Sequence, residues 1–219
     1  MYNYINLTIK SIFIITISIV IIVSCAFINT LKEGLTNKHQ IILLGDSVLN
    51  NSNYVPLNTS VEDILKTKTL NVINLSKDGA KIADLQNQLN NIALKYNSVE
   101  THIFISAGGN DILNNYSQFD LLKLNNLFNT YLDFIKTLKN KFNNSKIYIL
   151  NLYLPPKQYF QTYKKSVEKW NEIINMNSTI YKVIDLHSLL YQSEDFVFNI
   201  EPSEIASEKI ANIIYSKVI

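Results

Sequence analysis

From residue 39 onward, short and almost wholly apolar runs alternate with longer segments in which apolar residues recur every three or four positions. The runs at 40–45 (QIILLG), 70–75 (LNVINL), 102–107 (HIFISA), 146–153 (KIYILNLY) and 181–186 (YKVIDL) have strand length and little polar alternation. Strands buried on both faces read this way, so the pattern predicts a five-stranded parallel sheet built from βαβ units. Ser60 stands where an N-cap would open a helix at 61–68, and Ile82, Leu85, Leu89, Ile92 and Leu94 mark a second apolar stripe. Segments 121–142 and 159–176 supply two long helices. Pro202-Ser203-Glu204 opens the last one, which directs Ile205, Ile210, Ile213 and Ile214 toward the core. The expectation is one α/β domain over 39–219, a three-layer α/β/α sandwich with helices on both faces of the sheet.

The pattern changes upstream. Residues 11–28 (SIFIITISIVIIVSCAFI) carry no charge, and about 18–20 such residues suffice to cross a hydrocarbon core as a helix. A lone segment in lipid satisfies its backbone polar groups only as a helix, whatever its β-branched content. The expected organisation is a flank at 1–10, a single transmembrane helix or signal anchor at 11–28 and a polar tether at 29–38, which makes the protein membrane-attached. A cleaved secretory signal, or a lipoprotein signal with Ile22-Val23-Ser24-Cys25 as its lipobox, are the other outcomes this segment allows. Lys10 on one flank and Lys32 and Lys38 on the other nearly balance, so charge does not set the orientation.

Composition narrows the partners. Twenty basic and 18 acidic residues give a net charge of +2, with no basic stripe that would track phosphates, so nucleic acid is not an expected partner. The single cysteine, Cys25, lies in the apolar leader, which leaves the domain no disulfide framework and no thiolate zinc site.

Ligands of such sheets bind beyond the carboxyl ends of the strands, and three strand ends there carry candidate chemistry. The first ends in Gly45-Asp46-Ser47, where a tight strand-to-helix turn can present a serine hydroxyl beside backbone N–H groups. The second runs into Asn74-Leu75-Ser76-Lys77-Asp78-Gly79-Ala80, whose glycine permits close backbone approach. The third ends in Ala107-Gly108-Gly109-Asn110-Asp111, placing an amide where it could donate to a developing oxyanion. The aromatic and apolar segment from Tyr153 through Phe160 is a candidate substrate wall or sugar platform, although residues at such helix-like spacing more often serve packing.

IILLGDS, NLSKDGA, SAGGND and EPSEIASEKIANII, spread from 41 to 214, resemble the four sequence blocks of the SGNH/GDSL-type serine hydrolases. The resemblance implies an α/β/α fold and ester or acyl hydrolysis without a cofactor. It also implies Ser47 as nucleophile, with an oxyanion hole made by the N–H of Ser47, the N–H of Gly79 and the Asn110 side chain.

The last block departs from the family. Where the family carries Asp-x-x-His-Pro, this chain reads Phe198-Asn199-Ile200-Glu201-Pro202. Glu201 stands in the position of the base and Phe198 in that of its orienting partner. A serine hydroxyl needs a positioned base, and an unperturbed Glu, with a pKa of about 4.3, is a weak one unless burial raises it. His39 and His102 flank the wrong ends of their strands, whereas His187, after the fifth strand, lies on the productive edge and is the other candidate base. Two functions follow. One is a membrane-anchored hydrolase cleaving acyl or acetyl esters of glycans or lipids. The other is a catalytically silent SGNH-fold binding or scaffolding module.

Overall fold

A computed structural model of the chain describes residues 17–25, 39–69, 71–115 and 118–219. Residues 17–25 form a helix, α1, with exposed side chains. The rest of the 11–28 span, the flank 1–10 and the tether 29–38 lie outside the described residues, and among those described no helix is long and apolar enough to cross a membrane. Residues His39–Ile219 form one compact unit.

Within that unit, β1 (Gln40–Gly45), β2 (Val72–Asn74), β3 (Thr101–Ser106), β4 (Lys146–Leu150) and β5 (Lys182–Ile184) make one sheet in the order β2-β1-β3-β4-β5. Every pairing is parallel. Successive side chains of a strand point to opposite faces, and the two cores divide accordingly. Ile42, Leu44, Ile103, Ile105, Ile147 and Ile149 belong to one, packed under α3 (Leu85–Asn90), α5 (Leu121–Lys141) and α6 (Lys164–Met176). Ile41, Leu43, Phe104, Tyr148 and Leu150 belong to the other, under α2 (Val61–Lys68) and α8 (Glu204–Tyr215). Burying each such aliphatic side chain contributes about 1.5–3 kcal/mol. The apolar runs are therefore apolar on both faces because both faces are covered.

The expected helices form, with local differences. Ser60 caps α2 in a reciprocal capping box with Asp63, and Ser203 caps α8. In α8 the buried face is Ala206, Ile210, Ala211 and Ile214, while Ile205, expected in the core, is 48% exposed. The stripe from Ile82 to Leu94 breaks into a 3-10 turn, α3 and a second 3-10 turn, which leaves Leu94 exposed. The segment 159–176 likewise begins as a 3-10 turn at Gln158–Tyr163. β4 stops at Leu150, short of 153, because the Asn171 side chain takes both backbone groups of Leu152: its amide donates to the carbonyl at 2.7 Å, and its oxygen accepts the N–H at 2.9 Å. β5 stops at Ile184 because Asp185 caps the short helix α7 (Leu186–Leu189).

Two elements near the site have no clear hydrophobic signature. The helix α4 (Gly109–Asn115) starts inside the GGND motif. A two-stranded antiparallel hairpin, β6 (Phe196–Val197) and β7 (Glu201–Pro202), sits outside the main sheet and pairs Val197 with Glu201.

Candidate active site

The site begins with a backbone requirement. Gly45, the last residue of β1, has φ +119°, and a Cβ there would lie 1.7 Å from the Ser106 carbonyl oxygen, so only glycine fits. The buried Gln88 side chain clamps it, accepting the Gly45 N–H at 2.7 Å and donating to its carbonyl at 2.9 Å. The chain then turns tightly, with the N–H groups of Leu49 and Asn50 both bonded to the Asp46 carbonyl at 3.2 Å. Ser47 sits within this turn and is 8% exposed. Across the sheet edge, Gly108 has φ +101° and lies against the Trp170 ring, which a Cβ would meet at 2.6 Å. This close packing sets the start of α4, whose first turn carries Asn110.

Ser47, Asn110 and Glu201 line one cleft. The Ser47 hydroxyl lies close enough to the Glu201 carboxylate to stabilise its charge, and the carboxylate oxygen Oε2 is buried without a hydrogen-bond partner among the described residues. Burial pushes the Glu201 pKa up, the nearby Ser47 hydroxyl opposes this, and the negative charge of Asp78 adds to the rise. The carboxylate is thereby more basic than an ordinary Glu, which is the change that serine activation needs. β7 presents Glu201, and the next residue is anchored to the serine loop: buried Asn51 donates to the Pro202 carbonyl at 3.4 Å and to Ser207 Oγ at 2.6 Å.

The oxyanion candidates are partly assembled. One Asn110 amide hydrogen is directed to the Ala80 carbonyl at 3.0 Å. This bond ties the side chain to the loop of Gly79, which adopts φ +70° with open space where a Cβ would be. Gly79 itself lines a neighbouring polar depression, together with Lys77, Asp78, Asp84 and Asn87, and is not among the residues lining the Ser47 cleft. His187 is exposed on α7 and also lies outside the cleft lining; only its backbone N–H points to the site's edge, donating to Asn151 at 3.1 Å. His102 is buried at the opposite end of β3, stacked on Tyr148, and burial lowers its pKa to about 4.

Two acidic residues of these motifs, to which the sequence pattern assigns no role, stand at the site. Asp46 is 3% exposed and lines the cleft; its Oδ1 accepts the Ser106 hydroxyl at 2.8 Å and the Val48 N–H at 3.2 Å. Burial, with a smaller contribution from the Glu201 charge, raises its pKa to about 7 in spite of those bonds. Asp78 accepts from the Tyr54 hydroxyl at 2.5 Å. An Asp wedged between an apolar strand and a serine was the available signal for the first, whereas nothing in the sequence marked the second. Of the aromatic segment, Tyr153, Leu154, Pro155 and Phe160 do face the cleft, with Leu152 and Val167 beside them, so that wall is apolar. Among the described residues no group of three or more His, Cys, Asp or Glu is arranged to hold a metal ion.

A five-stranded parallel α/β/α sandwich, with a serine turn at the carboxyl edge and a hairpin carboxylate facing it, defines a domain of the SGNH type. The chain belongs to the GDSL-like lipase/acylhydrolase family, whose profile matches residues 41–204. Three crystal structures share the fold. A member of the lipolytic protein G-D-S-L family from Veillonella parvula DSM 2008 is 20% identical, with 83% of this chain and 98% of that one covered and a TM-score of 0.60. A GDSL-like lipase from Bacteroides thetaiotaomicron VPI-5482 is 10% identical, with 83% and 88% covered and a TM-score of 0.61. The acetyl xylan esterase AlAXEase is 15% identical, with 82% and 100% covered and a TM-score of 0.61. No curated protein matches the chain significantly.

Proposed function

We propose that this protein is a membrane-anchored serine ester hydrolase in which Glu201 replaces the family histidine as general base. The observation that carries this reading is that the Ser47 hydroxyl shares one cleft with a carboxylate whose pKa is raised by burial. Ser47 Oγ attacks the ester carbonyl carbon and its proton passes to Glu201. The tetrahedral intermediate then collapses, and the alcohol leaves with that proton. Water, deprotonated by Glu201, attacks the acyl-enzyme and releases the acid, returning the proton to Ser47. Asn110, with the N–H groups of Ser47 and Gly79, stabilises the oxyanion, and removing one such donor typically costs about 10²–10³ in rate.

The apolar wall formed by Leu152, Leu154, Phe160 and Val167 suits an acyl chain, and the polar depression around Gly79 suits the alcohol portion of a glycan or lipid headgroup. The uncharged stretch at 11–28 supports attachment to a bilayer. Phe198 and Glu201, in place of the family's Asp and His, are what support the other reading, a silent binding module. A fluorophosphonate probe separates the two. Wild type is expected to label between pH 5 and 9 and Ser47→Ala to remain unlabelled; wild type unlabelled across that range refutes hydrolysis and leaves the binding module.

A further inference from the structure

Three consecutive residues ahead of Glu201 are each held by a side chain from elsewhere. Phe198 packs on Tyr54, with ring centroids 5.9 Å apart. Asn199 accepts from the Lys157 ammonium, and the Ile200 carbonyl accepts from the Tyr153 hydroxyl at 2.8 Å. Phe198 has φ +45° and Asn199 φ +78°. A bulky aromatic residue in the left-handed region is disfavoured and persists only where its surroundings hold it. Phe198 is 70% exposed, so burial of its ring is not what holds it. Its ring contact is with Tyr54, whose hydroxyl bonds Asp78, the residue just before Gly79.

One side chain therefore touches both loops that flank the serine. Resting on the Ser47–Glu201 hydrolase reading, we propose that Tyr54 is a positioning residue that locks the Glu201 hairpin to the Gly79 loop, with Phe198 as its handle. The position that carries an imidazole-orienting carboxylate in the family has here become an aromatic contact that orients the whole hairpin. The same bridge holds Asp78 near Glu201. The ionisable groups whose fields couple to Glu201 are Asp46 and Tyr54 from the loop after β1, Asp78 from the loop after β2, and Tyr153 from the segment after β4. Burial is the main cause of the raised Glu201 pKa, and among these charges that of Asp78 adds to it. Releasing Asp78 to solvent weakens that repulsion and lets Glu201 ionise at lower pH.

The test uses the full chain in detergent micelles and follows p-nitrophenyl ester hydrolysis from pH 4 to 9 in wild type, Tyr54→Phe, Tyr54→Ala, Phe198→Ala and the double variant. Tyr54→Ala is expected to lower kcat by about 10–100-fold with KM within about two-fold, since an ångström of misplacement at a reacting group costs that much. The acid limb of its kcat profile is expected to shift to lower pH. Tyr54→Phe keeps the ring contact but loses the bond to Asp78, and is expected to show the pH shift with a smaller loss of kcat. Phe198→Ala reports the same contact from the other side, so the double variant is expected to be no slower than the slower single. Wild-type kcat and acid limb in Tyr54→Ala overturn the proposal, and so does a change confined to KM, which would make Tyr54 a substrate contact. Thermal unfolding identifies a variant that has lost its fold, and the remaining member of the Tyr54–Phe198 pair then decides. Wild type no faster than Ser47→Ala overturns the hydrolase reading itself, a result distinguishable from fast wild type with unaffected Tyr54 variants.

Discussion

Replacing Glu201 by Gln should move activity and stability in opposite directions. The amide is isosteric with the carboxylate but cannot accept the Ser47 proton, and general-base assistance typically contributes 10²–10⁴ in rate, or about 3–5 kcal/mol of transition-state stabilisation. A loss of that size is expected in kcat/KM for a p-nitrophenyl ester, with the rest of the cleft intact. Stability should change the other way. A carboxyl whose folded pKa lies above its unfolded value leaves the folded state less protonated than it favours once pH rises, so stability is lost as pH climbs from about 4.5 through the raised folded pKa. Gln removes that loss, and Glu201→Gln should unfold at a higher temperature than wild type at pH 8 and match it near pH 4. The wild-type rate should rise with pH through a midpoint above 4.5, because the base must be ionised. The reasoning fails if Glu201→Gln keeps its rate within about three-fold. It fails equally if the wild-type acid limb vanishes in His187→Gln, which would make His187 the base.

Other perturbations test the scaffold beneath the site. Asp46, with a pKa raised to about 7, should cost stability between about pH 4 and 7, up to roughly 4 kcal/mol at 1.36 kcal/mol per unit. Asp46→Asn should therefore raise the unfolding temperature by several degrees at pH 8 and little at pH 4, and a pH-independent difference would refute the buried-acid assignment. Gly45→Ala should abolish folding or destabilise by about 4 kcal/mol or more, since its Cβ would overlap the Ser106 carbonyl; soluble, probe-reactive Gly45→Ala protein would contradict the geometry.

The fold was legible because its signals are local and periodic. A strand covered on both faces must be apolar throughout, so QIILLG and HIFISA announce buried parallel strands before any contact is known. Ser60 and Ser203 mark helix starts for an equally local reason, the unpaired N–H groups of a first turn. The strand-end motifs pointed to Ser47 and Asn110, which the fold brings to one cleft, and their glycines are required by one backbone carbonyl and one indole ring. Sequence also showed that the family base was missing, since a residue type in a register needs no coordinates.

Tertiary structure set the two candidate bases apart. Glu201, in the family register, lines the Ser47 cleft, whereas His187, the alternative, is exposed on α7 and lies outside that lining. The basicity of that carboxylate could not be read from its neighbours in the chain, because it comes from burial and from Asp78, 123 positions away in sequence. Tyr54, Asp78 and Phe198 likewise carry no pattern as a string. A pKa and a positioning contact are sums over atoms brought close by folding, whereas secondary structure is set largely by neighbours along the chain, and that difference in range separates what the residues announced from what only their arrangement decided.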